Sequence, residues 1–164
     1  MGLTLPSHLV SALNAVGFLW PEADEVKLFN MSIEWTRFSA DLTAAVTDAQ
    51  RGAERVWVDN HGLAITAFQQ HWSDPGSPAS NLSDGANAAY LIGVGYAAIA
   101  AIVLALKLSV IASLTAFVIA VAKAALAALV TWGAALALVP ALVWATKRVL
   151  EYLVSLAIQK VLGA

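Results

Sequence analysis

At 164 residues, with 60% hydrophobic and only 12% charged residues, the chain has the length of one ordinary domain but far more apolar material than the roughly half that soluble domains carry. A net charge of −2 offers no basic field, which excludes nucleic acid as a main partner. The absence of cysteine excludes disulfides, thiol catalysis and Cys-based metal sites.

The first expected element is a short helix in "LPSHLVSAL", opened by Pro6. No basic residue precedes Lys27, and the apolar stretch from Leu9 to Phe18 is broken by Ser11, Asn14 and Gly17, so the N-terminus makes a poor secretory signal. Next comes "LNAVGFLWPEADE", where an apolar run reaching Trp20 meets Pro21 and the carboxylates Glu22, Asp24 and Glu25. Proline suits the first helical position because its missing N–H would be unpaired there, and acids in the next turn complement the helix dipole. The sequence therefore predicts a helix from Pro21, with Trp20 folding back just outside it as an anchor. Its apolar positions are Leu28, Met31, Trp35, Phe38, Leu42, Ala45, Ala49, Gly52 and Val56, at alternating steps of three and four, the spacing of a helix packed lengthwise on a partner.

That helix is expected to stop at "VDNHGLA", where Asp59, Asn60 and Gly62 supply turn chemistry. A second stripe, Ile65, Phe68 and Trp72, then makes an antiparallel hairpin whose seam contains Trp35, Phe38, Phe68 and Trp72. "SDPGSP" ends the hairpin, with Ser77 before Pro78 as the N-cap of the next helix. From there a very long Ala-rich helix reaches Val130, with Gly93 and Gly95 as weak points. A break at "TWGAALALVPA" precedes a last helix from about Pro140 to Val161. The expected organisation is a hairpin region over 1–75 and an apolar long-helix region over 76–164, packed as one extended all-α domain.

Charge follows the same division. Nearly all acids precede Pro75, whereas between Asp84 and Lys147 the only formal charges are Lys107 and Lys123. Gly85–Leu106 and Ala124–Thr146 are each uncharged over about the twenty residues that span a bilayer. Their Ala, Gly, Ser and Thr content also suits close helix packing, with Gly93, Gly95, Ala97 and Ala101 at contacts and Lys107 and Lys123 facing water, an acid or a polar lumen. Such helices cannot hide every face against one small hairpin, so the chain is expected as an oligomer, a hetero-complex or a membrane-associated species.

No catalytic group emerges. Glu22, Asp24 and Glu25 read as a helix-start signature, Trp35, Phe68 and Trp72 as core, and His8, His61 and His71 have no metal-site spacing. Neither a nucleophilic triad nor a phosphate loop is present, so no enzyme activity, cofactor or metal is expected.

The succession of "LPSHL", "WPEADE", Trp35, "GLAITAFQQHW", an Ala-rich long helix and "TWGAALALVPA" resembles the WXG-like N-terminal domain of actinobacterial toxins exported by type VII secretion. Relatives of that kind include channel proteins carrying an NAD-degrading necrotizing toxin. The resemblance covers nearly the whole chain. It implies an all-α fold in which a WXG-like antiparallel hairpin is followed by long apolar helices. It also implies a non-catalytic export and delivery module that pairs with small WXG-type helical hairpin proteins. A C-terminal toxin domain beyond Ala164, a membrane channel, and release by a signal-peptide-independent route to the envelope or outside belong to the same expectation. The Trp-x-Gly turn of the family falls at Asn60, His61 and Gly62, so the glycine is kept and the tryptophan is not. Tyr90, Tyr96 and Tyr152 are followed four residues on by Val94, Ala100 and Leu156, not by the acid of a Tyr-x-x-x-Asp/Glu export signal, which such systems can place on a partner chain. The alternative is an integral membrane accessory or immunity protein with a small helical cap.

Overall fold

The computed structural model describes residues 2–163. Among them the chain is all α-helical: α1 (Val10–Val16), α2 (Glu25–Asp59), α3 (Leu63–Trp72), α4 (Pro78–Val130) and α5 (Val139–Leu162), with 3-10 turns at Ser7–Leu9 and Ala134–Leu138. The boundaries follow local chemistry. Gly17, at φ 67°, closes α1 in the left-handed conformation, its N–H returning to Asn14 and Leu13. Ser77 caps α4, its Oγ accepting the Ser80 N–H at 3.2 Å, and Pro78 takes the first helical position as expected. Helix α4 continues unbroken through Gly93 and Gly95 for 53 residues, about 80 Å at 1.5 Å per residue.

The start of α2 differs from the sequence expectation. Pro21 lies in the extended connection before it, and the helix begins at Glu25. Asp24 is the N-cap: its Oδ1 accepts the Val26 and Lys27 N–H groups, each at 3.1 Å. A carboxylate acceptor satisfies two orphan donors, whereas proline only avoids having one, and this decides where the helix starts.

The chain divides into two compact units, residues 28–97 and residues 1–27 with 98–164. This is not a division at residue 75. The N-terminal segment belongs with the apolar half, and residues 77–97 belong with the hairpin. The reason lies in α4 itself. Ala86, Ala89, Gly93 and Tyr96, then Ala100, Val103, Lys107, Val110, Leu114, Phe117, Val121, Ala124 and Ala128 are all buried or half-buried, at steps of three and four throughout. Within each unit α4 contributes a narrow seam of this kind.

In the unit of residues 1–27 and 98–164, α1 lies against α4 and α5. Leu9, Ala12, Leu13 and Val16 pack on Val110, Leu114, Phe117 and Leu150, with Trp20 half-buried at the edge. Each fully buried Leu or Val contributes about 1.5–3 kcal/mol, so this cluster, and not α1's own helical propensity, holds α1.

In the unit of residues 28–97, the buried stripe of α2 is Leu28, Ser32, Trp35, Ser39, Leu42, Val46, Gln50, Ala53 and Trp57. It shares Leu28, Trp35 and Leu42 with the expected stripe but takes Ser32 and Ser39 in place of the exposed Met31 and Phe38, and beyond Leu42 it runs one residue later throughout. Ala45, Ala49, Gly52 and Val56 are exposed. Small side chains set the true phase. Buried Ser39 donates its hydroxyl to the Ala86 carbonyl at 2.8 Å, and Gly93 packs so closely that a Cβ there would lie 2.8 Å from Thr36 Oγ1 and 3.1 Å from the Ser32 carbonyl. Counting apolar side chains cannot reveal a seam whose closest approach is made by serines and a glycine.

Candidate functional site

The residues of α2 next to this buried stripe form a second one. Phe29, Ile33, Thr36, Ala40, Thr43, Thr47 and Arg51 follow at helical steps and line two hollows of about 320 and 430 Å³ that share Ala40. Thr36, Thr43 and Thr47 donate their hydroxyls to the carbonyls of Ser32, Ser39 and Thr43 four residues back, so these side chains require nothing from a partner. The rim is charged and solvated: Arg37 pairs with Glu34 at 3.0 Å and Arg51 with Asp48 at 2.9 Å. Exposed pairs of this kind contribute under about 1 kcal/mol each, but they keep the groove soluble while it is empty. A shallow, small-residue trough along a helix fits the ridge of another helix.

The expected hairpin residues group as follows. Trp35 is half-buried with Phe38 edge-on at 6.0 Å, and Phe38 is half-exposed. Phe68 sits between Trp57 and Trp72, 5.9 Å from each ring, and Trp72 Nε1 donates to Gln50 Oε1 at 2.6 Å. Trp57, and not the expected Val56 beside it, is thus part of the seam. Gly62 is at φ 124°, ψ 170°, a backbone conformation that demands glycine. Asn60 donates its side-chain amide to the Val56 carbonyl at 2.9 Å, so the residue in the tryptophan position caps α2. The three histidines are exposed, and among the described residues no three His, Cys, Asp or Glu converge on a metal site.

Of the apolar-half residues, Gly93 meets α2 as described, Gly95 is exposed with nothing within 4 Å of where a Cβ would stand, and Lys123 is exposed. Lys107 is buried in the α4 seam, its Nζ 2.7 Å from Glu25 Oε2, the two side chains 3% and 8% exposed. The other Glu25 oxygen accepts the Leu3 N–H, and the Trp20 ring centroid lies 5.9 Å from Nζ. Burial alone would raise the Glu25 carboxyl, but the Leu3 N–H and the Lys107 ammonium outweigh it and hold the group below its ordinary value. A residue expected only to start a helix therefore neutralises a lysine 82 positions away. The remaining surface of α4 is apolar and open: it is long and apolar enough to cross a membrane, and only 28% of its most apolar window is buried.

A family model described as "WXG100 like domain" matches residues 5–148. The chain belongs to the WXG100-like family. The matched range runs from before α1 well into α5, so the long apolar helix is part of the family domain and not an appendage to a hairpin. The WXG100-like assignment relates this all-helical chain to type VII secretion, and WXG-like domains generally pair with other WXG-type helical proteins. Neither curated proteins nor solved structures gave a match.

Proposed function

We propose that this WXG100-like chain is the non-catalytic export and delivery module of a type VII-secreted toxin. It pairs through the outer stripe of α2 with a small WXG-type helical hairpin protein, carries a toxin domain that follows it, and presents its apolar half to a membrane, where it forms a channel. The observation that carries the pairing is the groove along α2 from Phe29 to Arg51, floored by Ala40 and threonines whose hydroxyls are already satisfied, and rimmed by solvated charges. The open apolar surface of α4 supports the membrane step. The export signal of the complex is supplied by the partner.

Co-expression with small WXG-type hairpin proteins tests the pairing. The chain is expected to co-purify with one of them in a stoichiometric complex, and Ala40→Arg is expected to abolish that complex while leaving the helical circular dichroism unchanged. Unimpaired pairing by Ala40→Arg would remove the groove from the interface.

A further inference from the structure

We propose that the tip between α4 and α5 is a lipid anchor that enters one leaflet of an anionic bilayer. The inference rests on the membrane-directed part of the proposed function and names the segment, the depth and the lipid charge. Leu126, Leu129, Val130, Trp132, Leu136 and Leu138 are all exposed; Leu129 and Val130 are 82% exposed and Trp132 is fully so. Trp132 is also the one non-glycine residue with positive φ among the described residues, at 51°. A bulky side chain in the left-handed region is unfavourable, and here no contact compensates it. Folding of the chain alone therefore gives no reason for a tryptophan at this position, whereas an apolar solvent does.

The dimensions fit a leaflet. Two hollows between α4 and α5 set the antiparallel register: one is lined by residues 101–109 of α4 and 153–160 of α5, the other by residues 113–120 and 142–149. On that register Trp144 lies level with Val118, about 18 Å back from the end of α4, and Lys147 and Arg148 lie about 22–24 Å back. The hydrocarbon of one leaflet is about 15 Å deep, so Trp144 falls at the interface and both cations among the headgroups. Lys123, about 10 Å back, reaches upward on its own stem. No acid occurs between Asp84 and Glu151, and although Arg148 pairs with Glu151 at 3.3 Å, Lys147 leaves the surface that meets the headgroups net cationic. Phe117, the buried α4 residue of the α1 cluster nearest the tip, is about 20 Å back, which leaves α1 outside the leaflet.

The cysteine-free chain allows a direct test. A polarity-sensitive dye is placed on Trp132→Cys, with Leu63→Cys, 91% exposed at the start of α3, as the control. Mixed phosphatidylglycerol–phosphatidylcholine vesicles are expected to blue-shift the dye at 132 alone, with quenching by spin labels near the bilayer centre. Pure phosphatidylcholine is expected to have little effect. Replacing Lys147, the cation without an acid beside it, by glutamine is expected to weaken partition about fivefold. A shift without release of vesicle-trapped dye sustains the anchor and removes the channel; a shift with release sustains both. The anchor is overturned if the dye at 132 stays in water on every vesicle or shifts equally on neutral vesicles. It is also overturned if both positions shift together, or if position 132 becomes apolar on raising protein concentration without lipid, which would make the tip a protein contact.

Discussion

Removing one member of the Glu25–Lys107 pair is the most severe single change the structure allows outside the apolar core. In Glu25→Ala, the Lys107 amine is left at 3% exposure with no acid beside it, and the Leu3 N–H loses its acceptor. Breaking a buried pair from one side costs about 3–5 kcal/mol. For a chain of this length each kcal/mol moves the melting temperature by about 2–4 °C, so the expected loss is roughly 6–20 °C. The double variant Glu25→Gln with Lys107→Met removes both charges, retains an oxygen for Leu3 and places an unbranched apolar chain in the seam between Val103 and Val110. It is expected to recover to within about 1 kcal/mol of the parent, because an apolar replacement of a buried pair is often neutral. Urea unfolding followed by circular dichroism measures all three. The pH dependence has a definite sign: Glu25 titrates lower in the folded chain than its ordinary 4.5, so its contribution is complete above about that pH and is lost as the pH falls through the folded value. Asp24, held down by the Lys27 N–H, adds in the same direction. Acid destabilisation is therefore expected to begin below about pH 4.5 and to be shallower in the double variant. A single variant within about 0.5 kcal/mol of the parent would mean that water reaches the pair and would refute the reasoning.

Gly93→Ala and Gly95→Ala are expected to have opposite signs. The first forces a Cβ against Thr36 and the Ser32 carbonyl and costs about 1–2 kcal/mol, while the second meets nothing and gains about 0.8–1 kcal/mol of helix propensity, both read from thermal melts. Trp57→Ala and Trp72→Ala are each expected to cost about 2 kcal/mol, roughly half the loss of a fully buried tryptophan, because both rings flank Phe68 and both are half-buried. Near-neutral unfolding data for Trp57→Ala would restore Val56 to the seam. Gly62→Ala, at φ 124°, is expected to destabilise the α2–α3 turn by about 1–3 kcal/mol in the same assay.

The long elements were legible because their signals are local. Ser77 and Pro78 mark the start of α4, the glycine and proline around Trp132 and Pro140 mark the break, and the stripe of Ile65, Phe68 and Trp72 marks α3. The interior was less legible where packing depends on small or charged residues. A hydrophobicity count passes over Ser32, Ser39 and Gly93, although they set the phase of α2 against α4. Glu25 read as a helix-start acid and Lys107 as facing water, an acid or a polar lumen, and only the fold joins them across 82 positions. The outer stripe of α2 was hidden for a related reason: alanine and threonine at helical spacing are unremarkable until the neighbouring stripe is known to be buried.

The pairing face can be measured by thiol accessibility, since the chain has no cysteine of its own. Single cysteines at Ala40 and Ala44 lie on the outer stripe of α2, while Ala45 and Gly52 are exposed on the far side of the same helix. With a WXG-type partner bound, labelling is expected to slow at positions 40 and 44 and to stay unchanged at 45 and 52. Protection at 45 and 52 with free labelling at 40 and 44 would contradict the assignment of the groove as the partner face.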